Sequence, residues 1–174
     1  MTTSRERTDI LDTLRKHREL FRFTTQGLTD EQAADRTTVS ELTVGGLVRH
    51  VTKVERQWAD FVVNGPGEST IDWENVDWSN PPAEMLEHAA SFQMQDATLA
   101  GLLEEYAEVA AATDALVETV DLDADHELPA APWNPPGTRW SARRVFLHMV
   151  AETAQHAGHA DIIREAIDGQ KSMG

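Results

Sequence analysis

The 174-residue chain contains no cysteine. Disulfides, thiolate metal ligands and a cysteine nucleophile are all excluded. Any thiol chemistry would need a thiol supplied from outside. Cations are scarce too: 15 lysines and arginines face 30 aspartates and glutamates, for a formal net charge of −15 at pH 7. Phosphate binding needs clustered cations, so this balance argues against nucleic acid as a partner. No apolar run approaches the roughly 18 residues of a membrane span. The opening segment, MTTSRERTDILDTLRKHREL, is charged throughout and lacks the apolar centre of a signal peptide. The sequence therefore predicts a cytoplasmic protein that engages neither nucleic acid nor membrane.

Apolar residues make up 40% of the chain, enough for one core in a single domain over 1–174. Their spacing predicts four long helices. The first covers about 5–26, with Ile10, Leu11, Leu14, His17 and Phe21 on one stripe and Gly27 as a stop. Thr29-Asp-Glu-Gln32 has the form of a capping box for a short helix. The second long helix covers about 43–63, where Leu47, Val51, Val54, Trp58 and Phe61 recur in steps of three and four. The third covers about 95–120, and AEMLEHAASF at 83–92 offers a short helix before it. The fourth covers about 142–168, with Ser141 as N-cap, Trp140 and Val145 as a hydrophobic staple, and Gly169 as its end.

Two long connections, about 64–82 and 121–140, hold Trp73, Trp78 and Trp133, which read first as anchors for those loops and otherwise as the lining of a pocket mouth. Connections of this length are uncommon in compact domains and are often functional. No strand pattern stands out. The expected class is all-α, a four-helix bundle.

The fourth helix carries the chemistry. His148, Glu152, His156 and His159 fall within about 80° of one another at ~100° per residue. They share that face with Val145, Met149, Ala160, Ile163 and Ile167. Burying such groups charged and unpaired costs several kcal/mol each. A metal ion would compensate them. Groups four apart on a helix can grip one ion, which allows His148/Glu152 or Glu152/His156, and a third ligand must come from another helix. His50, beside Leu47, Val51 and Val54, is the best candidate. His50, Glu152 and His156 would form an open site of two imidazoles and one carboxylate, suited to zinc, nickel, iron or manganese.

Other metal motifs fail. Met149 follows His148 where the zincin motif needs a glutamate. Gln155 stands where a di-iron Glu-x-x-His motif needs histidine. Asp121-Leu-Asp123-Ala-Asp125 begins like a calcium loop, but His126 and Pro132 occupy its glycine and glutamate positions. His148 and His159 are expected near the metal, as groups that orient the ligands or contact substrate. For His148 an alternative ligand role stays open, and for His159 a pairing with Asp161. His17, His88 and His126 are expected to make surface or polar contacts, and Arg164 and Glu165 to form an exposed or interfacial ion pair.

RWSARRVFLHMVAETAQHAGHADIIREAIDG, taken with GLVRHVTKVERQW, resembles the DinB superfamily. The similarity is greatest to the branch of mycothiol-dependent maleylpyruvate isomerase and the thiol S-transferases. It implies an up-down-down-up bundle, often dimeric, holding one divalent metal. Its ligands would match His50, Glu152 and His156, with glutamate in the middle as in the isomerase-like branch. The implied activity is a transferase or isomerase using a low-molecular-weight thiol such as mycothiol on a small electrophilic substrate. A non-catalytic binding or stress-response protein with a structural metal site, and a metal-dependent hydrolase, are the alternatives.

Overall fold

A computed structural model describes residues 4–67, 71–73 and 75–172. Residues 68–70 and 74 of the expected first connection lie outside them, as do both ends of the chain. Six helices and two short strands follow one another: α1 (Arg5–Phe23), α2 (Asp30–Ala34), α3 (Val44–Asn64), α4 (Ala83–Ala90), α5 (Leu99–Thr119), β1 (Asp125–Glu127), β2 (Arg139–Ser141) and α6 (Ala142–Asp168).

Caps set most boundaries. Ser4, Thr43, Thr98 and Ser141 each accept a hydrogen bond from the amide three residues on. The capping box at Thr29 and Gln32 forms in both directions. Two expected boundaries shift. α1 stops at Phe23, where Thr24 and Thr25 turn their hydroxyls onto the Phe21 and Arg22 carbonyls. α5 starts at Leu99 instead of near 95, because Gln95 takes a left-handed φ of 53° that helix cannot accommodate. The strands are a further departure. β1 and β2 pair antiparallel, Asp125 with Ser141 and Glu127 with Arg139, and so fold the second connection against the start of α6. Three residues each are too few to show alternation in the sequence.

Cross-links between helices fix their directions. Arg143 at the start of α6 pairs with Glu6 at the start of α1, and Arg164 near its end reaches the Thr24 carbonyl, so α1 and α6 run parallel. His50 meets His156 while Trp58 meets His148, so α3 opposes α6. Arg7 bonds the Val120 carbonyl, so the start of α1 meets the end of α5. The bundle is therefore up-down-down-up, as the resemblance implied. α3 and α5 are parallel neighbours. α3 is 21 residues long, about 31 Å at 1.5 Å per residue. The chain from 65 to 98 must travel back along that length before α5 can begin, and it carries α4 on the way. It docks tightly: a Cβ on Gly46 would stand 1.9 Å from the Phe92 carbonyl oxygen, so only glycine fits there.

The core has two apolar clusters. One gathers Phe21, Leu47, Val51, Tyr106 and Ile163, and the other Leu14, Phe61, Val117, Phe146 and Met149. Along every long helix the chain crosses a buried polar layer between them. Arg18, Glu55, Thr52, Thr113 and Thr153 lie there. Arg18 donates to Glu55 (Nε to Oε2, 3.3 Å) and to Asp114 (Nη1 to Oδ1, 2.7 Å). Burial opposes the Arg18 charge most strongly, yet the two carboxylates more than offset it and raise its pKa.

Arg164 corrects an expectation. It is buried, not exposed, and its partner is Asp168, whereas Glu165 pairs with Lys171. Its guanidinium also donates to the Thr24 and Gln26 carbonyls, supplying partners just past the end of α1.

Candidate metal centre

α3 and α6 present their polar groups to each other at the level of the buried layer. His50 Nδ1 lies 2.9 Å from Ser91 Oγ. That hydroxyl donates to the His88 carbonyl at 2.6 Å, so its proton is committed and its oxygen accepts from the imidazole. His50 is thereby held as the tautomer protonated on Nδ1, with the Nε2 lone pair free. Phe92 stacks on the same ring at 3.7 Å between centroids and 19° between planes. Burial, reinforced by the neighbouring His156 and His88, pushes the His50 pKa down to about 4. The ring is a neutral base at pH 7, the form a metal ion needs.

His156 is similarly oriented. Its Nδ1 faces His159 Nδ1 at 3.4 Å, and its Nε2 points to Glu152 Oε2 at 3.6 Å. Glu152 has its pKa lowered, first by the hydrogen bond from His156, against an opposing effect of burial. Donor atoms of His50, Glu152 and His156 all lie within 4.8 Å of one another, the one such group among the described residues. An ion held at ~2.0–2.2 Å from N and O needs donors about 3.3–3.6 Å apart in tetrahedral geometry, so small side-chain rotations suffice. The donor set fits one divalent ion, and two neutral imidazoles with one carboxylate leave it a net positive charge.

His148 stands apart from the three. Its Nε2 is 3.5 Å from Glu152 Oε1, and its ring is packed edge-on against Trp58 and Trp140. Burial lowers its pKa. His159 meets His156, and Asp161 accepts from the Ser172 amide. Neither histidine lines the cavity beside the cluster.

That cavity is about 800 Å³. His50, Glu152 and His156 form its floor, and Trp58, Phe92 and Trp133 are among its walls. Trp133 is 69% exposed and meets Trp73 edge-on at 4.9 Å. It is a wall of the cavity rather than a buried loop anchor, and Trp78 is 68% exposed. His88 is exposed, as expected, and also lines the cavity, with its ring 5.3 Å from that of His50. His126 packs against Phe61 and Gly65, so it supports the rim. Ser91 and His88 escape sequence reasoning because each sits at or near a short helix and meets His50 on a different one. Ser91→Ala is expected to keep the fold and weaken zinc binding by about 10–100-fold, as loss of an outer hydrogen bond does. Competition with a chelator measures it, and unchanged affinity would remove Ser91 from the design.

The fold and this cluster define a DinB-type four-helix bundle with a His-Glu-His set that could hold one metal ion. The mycothiol S-transferase family model matches residues 9–169, and the chain belongs to that family. No curated protein matches it. In overall fold it is similar to a conserved protein of Enterococcus faecalis known from a crystal structure, with 17% identity and a TM-score of 0.60 over 94% of this chain and 97% of that one. Among the described residues no helix is long and apolar enough to cross a membrane.

Proposed function

We propose that the protein is a metal-dependent thiol S-transferase, with mycothiol as the thiol and a small electrophile as second substrate. The supporting observation is a three-ligand cluster whose open side faces a cavity. Bound there, a divalent ion such as zinc would supply Lewis acidity that lowers the pKa of an incoming thiol. His50, Glu152 and His156 would hold that ion, and Ser91 and His159 would orient the two rings. The cavity would bring the electrophilic carbon to the sulfur, where an S–C bond forms as the leaving group departs with its electron pair. The absence of cysteine leaves the chain with no competing thiol of its own.

A structural metal site would be closed by a fourth protein ligand. His148 and His159 face Glu152 and His156 from outside the cavity, and His88, which does line it with its ring 5.3 Å from that of His50, is not part of the donor cluster. The test has two parts. Protein purified without a histidine tag should carry about one divalent ion per chain. Turnover of an activated aryl halide should require both metal and mycothiol. Metal-free protein whose stability ignores added zinc would overturn the metal. Turnover that persists without any thiol would replace transfer by hydrolysis.

A further inference from the structure

The cavity is unbalanced in charge. Asp60, Glu84 and Glu152 contribute to its lining, and no lysine or arginine does so among the described residues. The guanidiniums nearby are turned elsewhere. Arg56 pairs with Glu105, and Arg144 sits over the Trp140 ring at 4.8 Å. Lys53 borders an adjoining hollow and reaches toward the Glu87 carbonyl at 3.4 Å. A divalent ion on the three ligands would offset two of the three carboxylates, so the loaded cavity would still not be cationic. Asp60 is held in place at the rim, where its Oδ1 accepts from Asn64 at 2.6 Å. The remaining walls are rich in aromatic faces, from Trp58, Phe61, Phe92 and Trp133. Aromatic faces attract cations and apolar bodies and offer nothing to a carboxylate.

We propose that this site selects its second substrate by charge: an uncharged or cationic electrophile with an aromatic or apolar body, with carboxylates rejected. Asp60 is the specificity residue at the entrance, and Trp133 is the face on which the body lies. The proposal takes the word electrophile from the transferase reading, but the selection concerns the cavity alone. It can be measured without turnover, so failure of transfer and failure of selection are read separately.

Three probes of similar body and different charge test it: benzyltrimethylammonium, benzyl alcohol and phenylacetate. Binding to the whole protein is followed by tryptophan fluorescence, with and without one equivalent of zinc. The ammonium should bind roughly tenfold more tightly than phenylacetate at low salt, the size expected for carboxylates partly screened by water. The gap should shrink to about two- to threefold at 0.5 M salt, where screening is nearly complete. Asp60→Asn should narrow the low-salt gap, and Trp133→Ala should weaken all three probes together. Phenylacetate binding as tightly as the ammonium in either metal state would overturn the proposal. So would an Asp60→Asn protein that keeps the full gap. Far-ultraviolet circular dichroism checks that both variants fold.

Discussion

His156→Ala and His50→Ala proteins are expected to lose bound zinc and, with it, thiol transfer. Each change removes a ring nitrogen of the donor cluster, on a ring whose other nitrogen meets Ser91 Oγ or His159 Nδ1. Removing only such an outer partner weakens metal binding by about 10–100-fold, so removing the ligand itself should exceed about 100-fold. Metal analysis after dialysis should fall from about one ion per chain to a small fraction. Transfer should fall by at least about 100-fold at a metal concentration that saturates the parent. His156 is 8% exposed and His50 3%, so alanine leaves a small hollow in each case. The metal-free variants should therefore melt near the metal-free parent, which separates loss of ligation from loss of fold. His148→Ala serves as the contrast, since it touches Glu152 without joining the cluster. Full metal content and full activity in both His50→Ala and His156→Ala would remove the centre from the chemistry.

The second large effect is on stability. Arg18→Met should cost about 3–5 kcal/mol, because it leaves the Glu55 carboxylate buried without its partner. Glu55 is 2% exposed, so water cannot replace the guanidinium. Urea unfolding of the metal-free protein measures the change. Arg18→Met with Glu55→Leu removes both charges and should recover most of the loss, as apolar replacements of buried pairs do. Asp114 limits that recovery, since it also loses Arg18 but keeps Arg15 at 2.9 Å and is only partly buried. A single variant within about 1 kcal/mol of the parent would mean that the layer tolerates an unpaired charge, contrary to the penalty for burying one.

Sequence and structure agree best where the information is local. The placing of His148, Glu152, His156 and His159 on one face follows from helical period alone, and the helix holding them runs from Ala142 to Asp168. Bringing His50 to Glu152 and His156 depends on how α3 opposes α6, which no spacing within one helix encodes. His50 stood out only as a histidine beside Leu47, Val51 and Val54, and the resemblance implied the same pairing. Charge misled at Arg164 and gave no sign of the burial of Arg18. Arg18 follows Leu11 and Leu14 on the buried stripe of α1, and Arg164 follows Ala157 and Ala160 on that of α6. Both occupy core positions, but a lone arginine reads as surface until a carboxylate or carbonyl is seen to meet it. Ser91, His88 and Trp133 were the least legible. They reach the centre on connections whose path is set by the bundle, and the strands that fold the second connection are too short to leave a pattern.

The return path from α3 to α5 has a consequence for how such a protein diversifies. The proposed metal ligands reside on two long helices, whereas Ser91, Phe92 and His88 arrive on the crossover and Trp133 on the next connection. Part of the enclosure is thus encoded apart from the anchor, while Trp58, Asp60 and Phe61 share α3 with His50. Exchanging residues 71–92 or 128–138 between relatives would alter which molecules enter while leaving the ligand trio in place. A recombination library built on those two segments would explore selectivity without changing the proposed ligands, provided Gly46 is kept where the crossover comes closest to α3.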